Sequence, residues 1–485
     1  MQVLSHQFML AKNPAYLPAG YQVSVFAEYY LASADDLPVI PLLSPQGESL
    51  GFLLGWPVTL QGEMLTPSQP QQLSPDTTAA FEAWLYRLGG RWLCLSLLEG
   101  GQFYTDAMAS QPCIYCPQAQ LIMSSAALLP SPWQEQVDTS LMAAMDVRHS
   151  EHFYLFALLP QKHCLRLLAN HKLLLSDFSV KRHWPQAFTA GSAEPDDLQQ
   201  KAKTICAVVQ AHISACAGNA PTKIGLSAGY ETRLMLACAK PWLSQLRFWT
   251  RKEHKTRAGL DQKVASHLAG TLGLQHQFVL PPAAADSGQS EDEWLARTGH
   301  CIGGSALRYR ALIDIEQGRH FALTGIGGEL CRAFYWPEQG LTGPLTAALL
   351  HRLSGVPEHP AFAKAARDYL QQLPDLPLWQ QLGLFYLENR VGAYASVHKY
   401  GNKNGIIFMY PLNHRHAVDA MLTLPLSEQQ KNKLHRAVIC HAWPELDQLP
   451  YNEPLGFFSR SLHRLQQQLK KQLRALRSAL YRAEQ

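Results

Sequence analysis

Residues 223–238 read KIGLSAGYETRLMLAC, an apolar strand pattern that breaks at small residues and resumes as an apolar helix pattern. Such a break gathers unpaired backbone N–H groups at a helix N-terminus, where anions are favoured. Ser227, Ala228 and Gly229 are small enough to let a phosphate reach the main chain, and Leu226 leads into them. The Thr232 hydroxyl and Arg233 guanidinium add charge-assisted contacts. Glu231, a carboxylate beside a phosphate cradle, makes sense chiefly with a divalent cation between the two negative groups. The same residues also read as an ordinary strand-to-helix turn with a Ser cap and a surface Glu.

Downstream, Leu246 to Thr250 reads as a second strand. A helix carrying Asp261, Val264, Ala265, Leu268, Ala269 and Leu272 follows, closed by Gly273, and a third strand runs from His276 to Leu280. Apolar positions at helical spacing between two short apolar runs predict a βαβ unit, hence a parallel sheet. Phe321 to Thr324 is another strand, running into Gly325-Ile326-Gly327-Gly328-Glu329.

The segment Ser227 to Thr232 resembles the pyrophosphate-binding SGGxDS loop of the ATP-pyrophosphatase fold, in its asparagine-synthetase branch. Ala for Gly, Glu for Asp and Thr for Ser each keep the chemistry of the position. Gly325 to Glu329 is similar to the second, acidic Gly-rich motif of that family, with one acid in place of an Asp-Glu pair. The resemblance implies an α/β domain over residues 186–458 that binds ATP and Mg²⁺. By it, Gly327 and Gly328 join the cradle, Glu231 and Glu329 hold the metal, and Thr250 faces the adenosine.

The first 150 residues carry short strands and turns, within a first domain expected over residues 1–185. Trp92 to Leu98, Gln102 to Thr105 and Leu121 to Leu128 are apolar runs, with Gly100-Gly101 as a turn. This part is similar to the N-terminal nucleophile (Ntn-like) α+β sandwich of class II glutamine amidotransferases, with Asp106 and Ser124-Ser125 at matching places. The nucleophile of that domain is an N-terminal cysteine exposed once Met1 is removed; here Gln2 follows Met1, and no cysteine precedes Cys94. An amide cannot attack a carbonyl, so no glutaminase is expected. What remains is a scaffold, as in relatives of the β-lactam synthetase and lasso-peptide cyclase type.

Trp379 to Lys399 reads as helical, with Tyr386, Glu388 and Arg390 as polar members. The resemblance places such residues toward the acceptor; salt bridges on a buried helix explain them equally well. Ile406 to Pro411, then Asn413, His414 and Arg415, resembles the family's core-closing segment, and Lys433-Leu434-His435-Arg436 its basic motif. Where synthetases continue into Arg-x-Lys, this chain has Leu449-Pro450-Tyr451-Asn452-Glu453-Pro454. Lys433 and Arg436 are therefore the candidates to replace the catalytic lysine. The resemblance implies adenylation of a small-molecule or peptide carboxylate, then attack by an amine or ammonia to give an amide and AMP. A non-catalytic nucleotide-binding scaffold is the competing reading.

Composition agrees with this. A chain of 485 residues, 47% hydrophobic and 16% charged, is long enough for two or three cored domains. No stretch reaches the roughly 20 apolar residues of a membrane span, and a cytoplasmic location is expected. The ten cysteines lack a disulfide rhythm. Cys113-Ile114-Tyr115-Cys116 has no second ligand pair and reads as a strand rather than a zinc site. Residues 459–485 hold seven Lys and Arg against Glu484, a net +6 within a chain of net +4, so the rest carries −2. Leu462, Leu465, Leu469, Leu473, Leu476 and Leu480 form one stripe opposite these bases. Such a helix binds an anionic surface or an acidic protein, or packs on its own domain. No nucleic-acid motif accompanies it.

Overall fold

A computed structural model of the protein describes residues 3–185, 195–252, 256–279, 291–303, 319–337, 340–401, 405–449 and 451–454, with Ser461, Leu465 and Gln466 beyond them. Residues 281–290 and, Leu465 apart, the leucines and bases of the C-terminal stripe lie outside these residues.

Residues 8–182 form two packed sheets. The first is six-stranded and antiparallel, with Phe8–Ala11 between Leu121–Met123 and Tyr29–Ser33. The second is seven-stranded, with Ser49–Val58 between Val39–Leu43 and Gly89–Ser96. Alternating residues point Phe8, Leu10 and Leu31 of one sheet at Phe52, Leu54, Leu93, Leu95 and Phe103 of the other, making one shared core. The helix Thr78–Leu85 covers the far face of the second sheet through Phe81 and Leu85. Cys113 and Cys116 flank and end the strand Ile114–Cys116 and are buried.

A five-stranded parallel sheet follows. Its strands are β1 (Thr222–Gly225), β2 (Leu246–Arg251), β3 (His276–Val279), β4 (His320–Leu323) and β5 (Ile406–Met409), in the spatial order β3-β2-β1-β4-β5. Ile224, Phe248, Phe321, Leu323 and Met409 are fully buried, as strands covered on both faces require. Helix α1 (Pro195–Asn219) feeds β1 and buries Ala202, Ile205, Val208, Val209 and Ile213, which share one face at helical spacing. Helix α2 (Tyr230–Cys238) links β1 to β2, and α3 (Thr256–Leu272) links β2 to β3. Helices α4 (Arg415–Leu422) and α5 (Lys433–Ala442) close the core, with α5 against α1 and α2. Residues 379–399 begin as the expected α-helix, but from Tyr386 to Ala395 the backbone is a π-helix, a form that accommodates an extra residue per turn. No helix among the described residues is long and apolar enough to cross a membrane.

Order 3-2-1-4-5 has one consequence for function. Strands β1 and β4 are neighbours whose connections leave in opposite directions, so a crevice opens at their carboxyl ends, where ligands of such sheets bind. The two Gly-bearing segments singled out in the sequence both start there.

Candidate functional site

Leu226, buried, continues β1: its N–H donates to the Trp249 carbonyl at 2.8 Å and its carbonyl accepts from the Thr250 hydroxyl at 2.8 Å. Thr250 also pairs with His276 Nε2 at 2.8 Å, so its hydroxyl is taken up within the sheet and braces the loop across three strands. Next, the Ser227 hydroxyl accepts from the Gly229 N–H at 3.1 Å and pairs with the Thr232 hydroxyl at 2.7 Å. The Ala228 N–H donates to Asp261 Oδ1 of α3 at 2.8 Å, so this loop already holds one carboxylate. Gly229 is the N-cap of α2 and no side chain caps that helix. Glu231 lies in its first turn, where the helix dipole favours negative charge.

The second loop follows β4. The Thr324 N–H donates to the Met409 carbonyl at 3.1 Å, and Gly325 to Gly328 then pass directly over Glu231. A Cβ on Gly325 would lie 2.7 Å from Glu231 Cβ, and one on Gly328 would lie 2.8 Å from Glu231 Cγ. Gly327 has φ +93° and its Cβ would lie 2.6 Å from Met108 Cε of the first domain. Glycine is thus required by close approach to Glu231 at two positions and by a left-handed backbone at the third. The turn Gly328–Arg332 then carries Glu329 and Arg332 to the same place.

There the charges meet. Arg332 Nη2 is 2.7 Å from Glu231 Oε1 and 3.9 Å from Glu329 Oε1. Glu329 Oε2 accepts from the Tyr386 phenol at 2.7 Å, and burial together with the Glu329 charge pushes that phenol far above its usual range, so it stays a donor. His435 Nε2 is 3.8 Å from Glu231 Oε1; burial and the Arg332 charge lower its pKa to about 3, so the imidazole is neutral and its contact with Glu231 is not an ion pair.

Three residues singled out in the sequence serve elsewhere. Arg233 is fully buried and donates to the carbonyls of Leu446 at 3.0 Å and Leu449 at 3.4 Å, with its guanidinium over the Tyr451 ring, so it faces away from the phosphate cradle. Lys433 pairs with Glu428 at 2.7 Å on an exposed turn, and Arg436 pairs with Asp447 at 2.6 Å with most of its side chain in solvent. The member of that basic motif that reaches Glu231 is His435. Glu388, for which the sequence left open an acceptor-facing place or a salt bridge on a buried helix, is wholly buried and bonded to Arg182, Asn170 and Tyr369, the second of these arrangements and a bridge between the two domains. Asp106 is a second bridge, accepting from Ser110 and from Asn413 Nδ2.

The crevice fits a phosphoryl group in part: hydroxyls of Ser227 and Thr232, an uncapped helix start, and small residues. A divalent ion between the two acids does not fit this arrangement. Magnesium takes six oxygens in near-ideal octahedral geometry, and the space between Glu231 and Glu329 is spanned by a guanidinium. No group of three or more His, Cys, Asp or Glu placed to hold a metal occurs among the described residues.

No known family model matches the chain, and no curated protein matches it.

Proposed function

We propose that this protein is an ATP-dependent, AMP-forming carbon–nitrogen ligase of the asparagine-synthetase type whose first domain is an amidotransferase-like scaffold without glutaminase activity. The observation that supports it best is the convergence at the crevice of the loops Leu226–Gly229 and Gly325–Gly328, the second with no room for side chains against Glu231. A topological switch point with an uncapped helix start is where a doubly wound sheet receives a phosphorylated ligand. The bond cleaved in ATP supplies the driving force for joining a carboxylate to an amine. The chain's own residues then have these roles: Ser227, Thr232 and the α2 N-terminus bind and orient the departing pyrophosphate, and Tyr386 fixes Glu329 beside it. The substrate is a small-molecule or peptide carboxylate, joined to ammonia or an amine. The cysteines of the first domain, Cys94, Cys113, Cys116 and Cys164, are all buried, which supports the absence of a glutaminase nucleophile there.

A second reading is favoured by one specific observation. With Lys433 ion-paired to Glu428 and Arg436 to Asp447, neither candidate replacement for the catalytic lysine reaches Glu231, which suits a nucleotide-binding scaffold without turnover. Incubation with ATP and a panel of carboxylates and amines separates the readings. AMP and pyrophosphate support the ligase; ATP binding without turnover supports the scaffold; ADP as product, or no binding of ATP, overturns the proposal.

A further inference from the structure

We infer that Arg332 is the built-in cation of this site, holding the position between Glu231 and Glu329 that a divalent metal would otherwise take. Its bearing on nucleotide binding rests on the reading above; its bearing on the two carboxylates does not. The guanidinium contacts Glu231 Oε1 at 2.7 Å and stands 3.9 Å from Glu329 Oε1. It is tethered where it stands, because Arg332 closes the same turn that begins at Gly328 and carries Glu329, and its neighbour Cys331 is buried.

Among the described residues, the two other side chains that contact the acids are uncharged. His435 is a neutral imidazole, and Tyr386 occupies the second oxygen of Glu329 as a donor. Two carboxylates and one guanidinium leave a net −1, and a divalent ion entering beside that guanidinium meets a like charge at contact distance. Arg and metal are therefore alternatives here. One practical consequence follows: anchoring of the phosphates falls to backbone N–H groups and hydroxyls, with no metal bridge from Glu231.

Manganese, a spin-active analogue of magnesium, tests this on the full-length protein. Electron paramagnetic resonance titration of the wild type is expected to show no bound Mn²⁺ that depends on Glu231. Arg332→Gln is expected to gain one site at least about tenfold tighter, and Arg332→Gln with Glu231→Gln to lose it again. A wild-type Mn²⁺ site abolished by Glu231→Gln overturns the inference, as does a folded Arg332→Gln that gains none. The wild-type arm decides the matter even where Arg332→Gln does not fold. Calorimetry of ATP with EDTA or with magnesium then isolates the nucleotide reading. Binding of equal strength in both supports the two together. Binding that needs magnesium and Glu231 overturns only the inference. No binding in either overturns only the nucleotide reading, and the Mn²⁺ result stands alone.

Discussion

The ring of Tyr230 lies flat against that of Tyr451, centroids 4.2 Å apart and planes within 4°. Tyr230 opens α2 at the candidate site, whereas Tyr451 belongs to the segment that follows Leu446 and Leu449, so the pair ties the chain's later part to the phosphate-type loop. Asn452 completes the tie, donating its N–H to the Ala228 carbonyl at 3.0 Å. Tyr451→Ala removes the stack and the cover over Arg233. An aromatic pair contributes about 0.5–1.5 kcal/mol beyond its burial, so a loss of that order or somewhat more is expected in urea unfolding. Faster proteolysis near residue 449 should accompany it. Unchanged proteolysis would show that the tie does not hold the segment.

Gly325→Ala is expected to be costly although its φ is not positive, because the new Cβ would lie 2.7 Å from Glu231 Cβ. Overpacking of this kind costs about 1–3 kcal/mol and displaces one loop from the other. Gly340→Ala serves as the contrast, since its Cβ would meet nothing within 4 Å and only its φ of +75° is unfavourable. ATP affinity should drop for Gly325→Ala and hold for Gly340→Ala. Equal affinity in both would separate the two loops functionally.

Much of the parallel domain was legible because its signals are local. The alternation of short apolar runs with helical spacing gave β1, α2, β2, α3 and β3, and the Gly-rich breaks marked where loops sit. What failed was the direction of individual side chains. Residues two apart on a helix point to nearly opposite sides. Once Glu231 turns toward Gly325, Arg233 must face the other way, into the Leu446–Tyr451 segment. The same spacing separates Lys433 from His435, and burial selects the imidazole for the inside. Arg332 carried no local signal at all. It gains its meaning only because the order β1-β4 brings a segment nearly a hundred residues downstream against Glu231.

The bridge between Glu388 and Arg182 gives a test of how the domains are joined. Arg182 bonds both Glu388 oxygens, at 2.6 and 3.0 Å, and Glu388 is fully buried. Burial alone would raise the Glu388 pKa; the Arg182 charge and hydrogen bonds outweigh it and leave the group below its usual 4.5. Removing one partner strands a buried charge, and Arg182→Met should cost about 3–5 kcal/mol. Arg182→Met with Glu388→Leu should recover part of that loss. Because the folded pKa is depressed, the ion pair stabilises above about pH 4.5 and that contribution fades as pH falls through the folded value. A double variant no more stable than Arg182→Met would show that the pair is not the source of the loss.

Buried histidines dictate a stronger acid response. Burial lowers His6, His171 and His212 to about 4 and His414 and His435 to about 3, from 6.5 in each case, and lowers His183 and His398 as well. His212 shows why. Its Nδ1 bonds the Val208 carbonyl at 2.8 Å, which makes Nδ1 the protonated nitrogen, and its Nε2 accepts the Gly90 N–H at 2.7 Å, so a second proton would break the bond between α1 and the first domain. The sign follows: below pH 6.5 the unfolded chain takes up protons that the folded chain refuses, so stability falls as pH drops toward the folded values. Each such histidine removes up to about 1.4 kcal/mol per pH unit, against a total of about 5–15 kcal/mol for a domain. Scanning calorimetry should show a steep fall in Tm below pH 6.5. His212→Gln, which keeps an acceptor for Gly90 and does not titrate, should make the fall shallower. A Tm unchanged down to pH 5 in the wild type would contradict the neutral, buried state of these rings.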